Sequence, residues 1–140
     1  MRVPVPEPVP AGREQLSTPP PDTRDMLFDH ERLDVYQRAL QLLDLCDTLA
    51  AQMPAGRAHL RDQLDRAATS VVLNIAEGAG EFSPDDKRRF YRFARRSATE
   101  VAAILHIMQR RRHADEQGMQ VAREVLGGVV SMLVKLTRKS

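Results

Sequence analysis

A single cysteine, no tryptophan and only six aromatic residues in 140 leave little room for several kinds of chemistry. One thiol excludes an intramolecular disulfide, and Cys46 lies among Leu42, Leu43, Leu45 and Leu49, the setting of a buried structural thiol rather than a reactive one. No apolar run approaches the ~18 residues of a membrane span. The N-terminus lacks the apolar core of a signal peptide, so a cytoplasmic protein is expected. Strand-like alternation and internal repeats are also missing.

Catalytic motifs are equally scarce. Di-metal sites in helical bundles use inward-facing Glu-x-x-His pairs. The residues three before His30, His59, His106 and His113 are Leu27, Gly56, Ala103 and Arg110, so no such pair exists and no metal is expected. An Arg about six residues before a His, as in one class of helical ribonuclease, occurs only as Arg24 and His30. Gly78-Ala79-Gly80 has no strand ahead of it and reads as a helix end with positive φ, not as a phosphate loop. Glu77 and Glu100 remain as an acid/base pair, but with no nucleophile or metal ligand beside them a structural role is favoured. The expectation is a protein that is not an enzyme and needs no cofactor.

What the chain does contain is helical pattern. Residues 1–26 hold seven of the nine prolines and almost no periodic apolar positions, which predicts a disordered or extended tail. Pro19-Pro20-Pro21 is too short to argue for a polyproline ligand. Residues 27–140 then form one domain. A first helix is expected from about Leu33 to Met53, with Tyr36, Leu40, Leu43 and Ala50 inward, ended by Pro54-Ala55-Gly56. A second runs from about Ala58 to Ala79. Ser83-Pro84-Asp85-Asp86 supplies an N-cap, a first-turn proline and two acids, and starts a third helix reaching about Arg111. Its expected core line is Phe90, Ala94, Ser97, Val101, Ile104 and Met108. After a loop at His113 to Gly118, Ala122, Leu126, Val129, Leu133 and Leu136 line a fourth. Gly127-Gly128 costs that helix about 2 kcal/mol in propensity, unless the glycines permit a close helix approach. Four such helices with short loops predict an all-α, up-down-up-down antiparallel four-helix bundle.

The second helix carries an unusual polar line beside its apolar one. Gln63, Ala67, Ser70, Asn74 and Glu77 follow the alternating four- and three-residue spacing of a packed seam. Two readings compete: a partly wet seam near a helix end, or a polar network that fixes register, to which Ser97 and Glu100 would belong.

Gln63 to Gly78, with Asn74-Ile75-Ala76-Glu77-Gly78 at its centre, resembles the signature of the four-helix-bundle proteins encoded in 23S ribosomal-RNA intervening sequences, relatives of the accessory variability determinant of diversity-generating retroelements. Leu33-Asp34-Val35-Tyr36-Gln37-Arg38-Ala39 ahead of it matches as well, as do Phe90, Ala94, Ser97 and Glu100 behind it. Arg96 departs from the pattern, which usually has a small residue before the serine, and the N-terminal extension is long. The resemblance implies a ring of identical subunits, often a pentamer. It also implies that some relatives assist reverse transcription by binding RNA and a reverse transcriptase.

Charge is distributed unevenly although the net is only +2. Residues 84–112 carry nine Lys and Arg against three acids, a net of +6, whereas residues 29–53 carry −3. With a step of about 100° per residue and Phe90 taken as the core direction, Arg88, Arg92, Arg95 and Arg110 fall on the outer side of the third helix, Arg96 lies at its margin, and His106 joins them. Phe93, Glu100 and Ile107 form a line at one side of the core seam, which suits a homo-oligomer interface. No aromatic is expected among the arginines for base stacking, so backbone-directed binding of nucleic acid, with RNA foremost, is the leading expectation. The alternative is a protein-interaction scaffold whose arginines only solvate the surface.

Overall fold

The computed structural model describes residues 28–139. The expectation of a disordered proline-rich tail falls outside them. A short 3₁₀ turn, Asp29–Arg32, precedes four helices: α1 (Asp34–Ala51), α2 (Ala58–Gly80), α3 (Pro84–Arg111) and α4 (Glu116–Leu136). They form the expected up-down-up-down bundle. Each helix packs on its chain neighbours and α4 returns to α1, while α1 and α3 stand across the diagonal. Among the described residues there is no strand, and no helix is long and apolar enough to cross a membrane.

The caps follow local chemistry. Ser83 Oγ accepts the Asp86 N–H at the start of α3, behind Pro84. Asp115 accepts the Gly118 N–H at 2.7 Å to start α4. Arg112 ends α3 in the left-handed region, at φ 56°.

Several expected details change. Core residues of α1 are Val35, Ala39, Leu42, Cys46 and Leu49; Tyr36, Leu40, Leu43 and Ala50 are only half-buried. In α3 the inward aromatic is Tyr91, not Phe90, and Ala98 is buried where Ser97 is half-buried. Gly78 and Gly80 are ordinary helical residues: among the described glycines only Gly56 has positive φ. Gly78 is required for another reason. A Cβ there would stand 2.7 Å from the Tyr91 ring, so its absence lets α2 and α3 close together. Gly127 and Gly128 show no such approach, because nothing lies within 4 Å of a Cβ built on either. Leu136, expected in the core line, is 36% exposed at the end of α4.

Cys46 is buried, and desolvation, with Asp47 adding to it, pushes the thiol pKa up to about 12. The structural reading of this cysteine follows from that environment.

Candidate nucleic-acid interface

The α2–α3 pair is the most extensively packed in the bundle. Between the two helices the Ser70 and Ser97 hydroxyls share a hydrogen bond of 2.8 Å. Asn74 Nδ2 donates to the Ser70 carbonyl at 2.9 Å and to its Oγ at 3.0 Å. These three half-buried residues form the polar network expected of the seam. Gln63 is half-buried on the same line. Glu77 and Glu100 do not belong to it: both are exposed. The end of α2 is compensated by Lys87, which donates from Nζ to the Gly78 and Ala79 carbonyls at 3.3 and 2.9 Å.

Tyr91 and Ala98 turn the inward direction of α3 by about 40° from the one set by Phe90, stepping about 100° per residue. The outer face turns with it. Arg92, Arg96 and Arg110, all exposed, now stand opposite the core, and Arg96 moves from margin to centre. Arg95 remains exposed but lies toward α4, where it donates to Thr137 Oγ1 at 3.0 Å. Arg88 leaves the outward set: its side chain is 16% exposed and pairs with Asp85. Burial of its stem and an acid one turn away account for the change.

An aromatic element adjoins Arg89, an arginine outside that set. The Phe90 and Phe93 rings meet edge to face at 5.8 Å, and the Arg89 guanidinium lies 5.1 Å from the Phe90 centroid and 6.0 Å from that of Phe93. Phe93 keeps 37% of its surface exposed and Ile107 keeps 39%, so the line expected of an interface is open on this chain. Leu73 of α2, which the sequence reading did not single out, is 59% exposed. Its position directly opposite the buried line of Leu64, Val71 and Ile75 was the available signal.

At the far end of α3, the α1–α2 and α3–α4 loops lie side by side, joined by a 2.8 Å hydrogen bond from the Asp115 N–H to Gln52 Oε1. His113 sits in this junction and is 8% exposed, with a buried Nδ1 that has no partner. Burial lowers its pKa first, followed by the Arg57 and Arg111 guanidiniums. Asp115 has its pKa lowered, chiefly by the Gly118 N–H and then by Gln52. Among the described residues no group of three or more His, Cys, Asp or Glu is placed to hold a metal.

Residues 31–135 match the family described as 23S rRNA-intervening sequence protein, well over half of the chain. The chain belongs to that family. Among solved structures, it is similar to a protein of unknown function from the S23 ribosomal protein family of Bacteroides thetaiotaomicron VPI-5482. The TM-score is 0.69 at 17% identity, over 75% of this chain and 99% of that one. At that identity the likeness supports the fold. None of the curated proteins matches. The membership expected from Gln63–Gly78 therefore stands, and the network of Ser70, Asn74 and Ser97 is what those signature residues build within this family member.

Proposed function

We propose that this 23S rRNA-intervening sequence family member is a non-catalytic, cytoplasmic homo-oligomer, a pentamer by the family resemblance, that binds nucleic acid, with RNA the expected partner. The observation that carries the reading is the outer face of α3, where Arg92, Arg96 and Arg110 are exposed opposite the core. Guanidinium forks suit phosphate oxygens, and contacts of that kind position a strand without reading its sequence. Arg89 with Phe93 at the edge of this face adds a surface on which an unpaired base can stack. Repetition of the stripe around an oligomer would strengthen binding without new contacts. The role is that of an accessory to an intervening sequence or a reverse transcriptase.

A scaffold reading has its own support in the exposed apolar side chains Leu73, Phe93 and Ile107. One experiment separates the two. Labelled RNA and DNA are titrated at two salt concentrations against the parent and a triple Arg92, Arg95 and Arg96 to Glu variant. Phosphate-directed binding weakens steeply with salt, and the variant is expected to bind more weakly with a shallower salt slope. Equal affinity and slope in a folded variant would leave the scaffold.

A further inference from the structure

Phe82 is the most exposed large apolar side chain among the described residues, at 98%. It sits in the α2–α3 loop, and that loop is held on both sides. Ahead of the ring, the Glu81 N–H donates to the Gly78 carbonyl at 3.3 Å, and Lys87 Nζ bonds the Gly78 and Ala79 carbonyls. Behind it, Ser83 Oγ caps α3 and the Ser83 carbonyl accepts the Lys87 N–H at 2.9 Å. An aromatic side chain on a loop fixed in this way loses little freedom on binding, which suits an anchor residue. Its setting is acidic. Residues 77–86 carry Glu77, Glu81, Asp85 and Asp86 and no base. The two cations that follow are engaged, Lys87 by the carbonyls and Arg88 by Asp85.

The other end of α3 carries the complement. Ala103, His106, Ile107, Arg110 and Arg111 line an open depression of about 440 Å³. Ala103, small and exposed, leaves room beside Ile107, which keeps 39% of its surface exposed. Residues 101–114 carry three arginines and two histidines and no acid. An apolar depression with a basic rim thus matches an aromatic side chain with an acidic one. The two surfaces cannot meet within one chain, because about 30 Å of helix separates Pro84 from Ala103.

We propose that the Phe82 loop of one copy docks in the Ala103–Ile107 depression of a second copy, with Glu81 and Asp86 meeting Arg110 and Arg111. This contact rests on the homo-oligomer reading above and specifies its interface. Knob and socket are different surfaces of the same chain, so the contact is heterologous: each copy offers its loop to one neighbour and its depression to another. A contact of that kind closes into a ring when the rotation between copies permits it. Burial of the aromatic anchor supplies affinity, and the opposite charges at the rim fix orientation.

The test measures particle mass by multi-angle light scattering on the full chain. Phe82→Ser removes the knob, and Ala103→Glu fills the socket and repels the acids. Both positions are exposed, so both variants should stay folded. Each alone is expected to run at the subunit mass under conditions where the parent is assembled. Mixed, they should form a dimer of one of each, because one intact socket then meets one intact knob. Should Ala103→Glu melt early, Arg110→Glu with Arg111→Glu takes its place in the mixture. An assembled parent whose mass neither variant changes overturns this contact and leaves the homo-oligomer standing. Variants that fall to monomers but do not pair when mixed also overturn it, since other surfaces would then make the contact. A parent that is itself a monomer overturns the homo-oligomer reading together with this contact. Binding of RNA by the α3 stripe is read separately, by the titration at two salt concentrations.

Discussion

Tyr91 fills the space that a side chain at position 78 would occupy: its Cε1 atom lies 2.7 Å from where a Cβ on Gly78 would stand. The ring is buried, and burial raises its pKa. A flexible side chain could swing away from such a contact, but a ring enclosed in a packed core has little room to do so. Gly78→Ala is therefore expected to destabilise the bundle by about 1–3 kcal/mol through overpacking, which outweighs the gain of about 0.5–1 kcal/mol from replacing glycine within a helix. Gly127→Ala in α4 meets nothing within 4 Å and should be stabilising by up to about 1 kcal/mol. Urea unfolding of the two variants checks the pair; the same sign in both would contradict the packing account.

The seam network predicts a second contrast. Asn74→Ala removes a donor that serves both the Ser70 carbonyl and its hydroxyl, the latter already bonded to Ser97. The expected loss is about 1 kcal/mol, and up to about 3 if a partner is stranded. Glu77→Ala should change stability by less than about 0.5 kcal/mol, because that side chain is exposed. Thermal melts of both variants decide this, and a large effect at Glu77 alone would move the network to another set of residues.

Phe93→Asp tests whether the exposed line of α3 covers a second copy. With Phe93 at 37% and Ile107 at 39% exposure, the substitution places a charge on an open surface, so the subunit fold should survive. The expected result by multi-angle light scattering is a smaller particle than the parent. An unchanged mass and unchanged solubility would place the interface elsewhere.

The His113 junction predicts how stability depends on pH. Its folded pKa lies below the ordinary histidine value of about 6.5. As pH falls through that value, the unfolded chain takes up a proton that the folded chain resists, so stability declines toward the folded pKa. Asp115 works in a lower window. Its folded pKa is depressed, so the stability it confers is present above the ordinary carboxylate value of about 3.9 and lost below it. Melting temperatures measured between about pH 7.5 and 5.5, in phosphate-free buffer, should fall for the parent and fall less for His113→Leu. A parallel decline in both would assign the effect to other groups.

The amino-acid sequence determined the local structure. Ser83, Pro84 and the two following acids start a helix through contacts within four residues, and the apolar spacing of α1 to α4 selects a four-helix bundle. Family membership was equally legible, because Gln63 to Gly78 is a contiguous motif on one helix. Tertiary structure decided how each helix is rotated about its own axis. Phe90 and Tyr91 are neighbours, and either can face a core until the space opposite Gly78 admits one ring. That choice turned the outer face of α3, centred Arg96, withdrew Arg88 to Asp85, and left Glu77 and Glu100 in solvent. The junction of the α1–α2 and α3–α4 loops was likewise invisible in one dimension. Its Gln52–Asp115 bond joins residues 63 positions apart, which meet only because antiparallel packing returns two loops to the same end of the bundle.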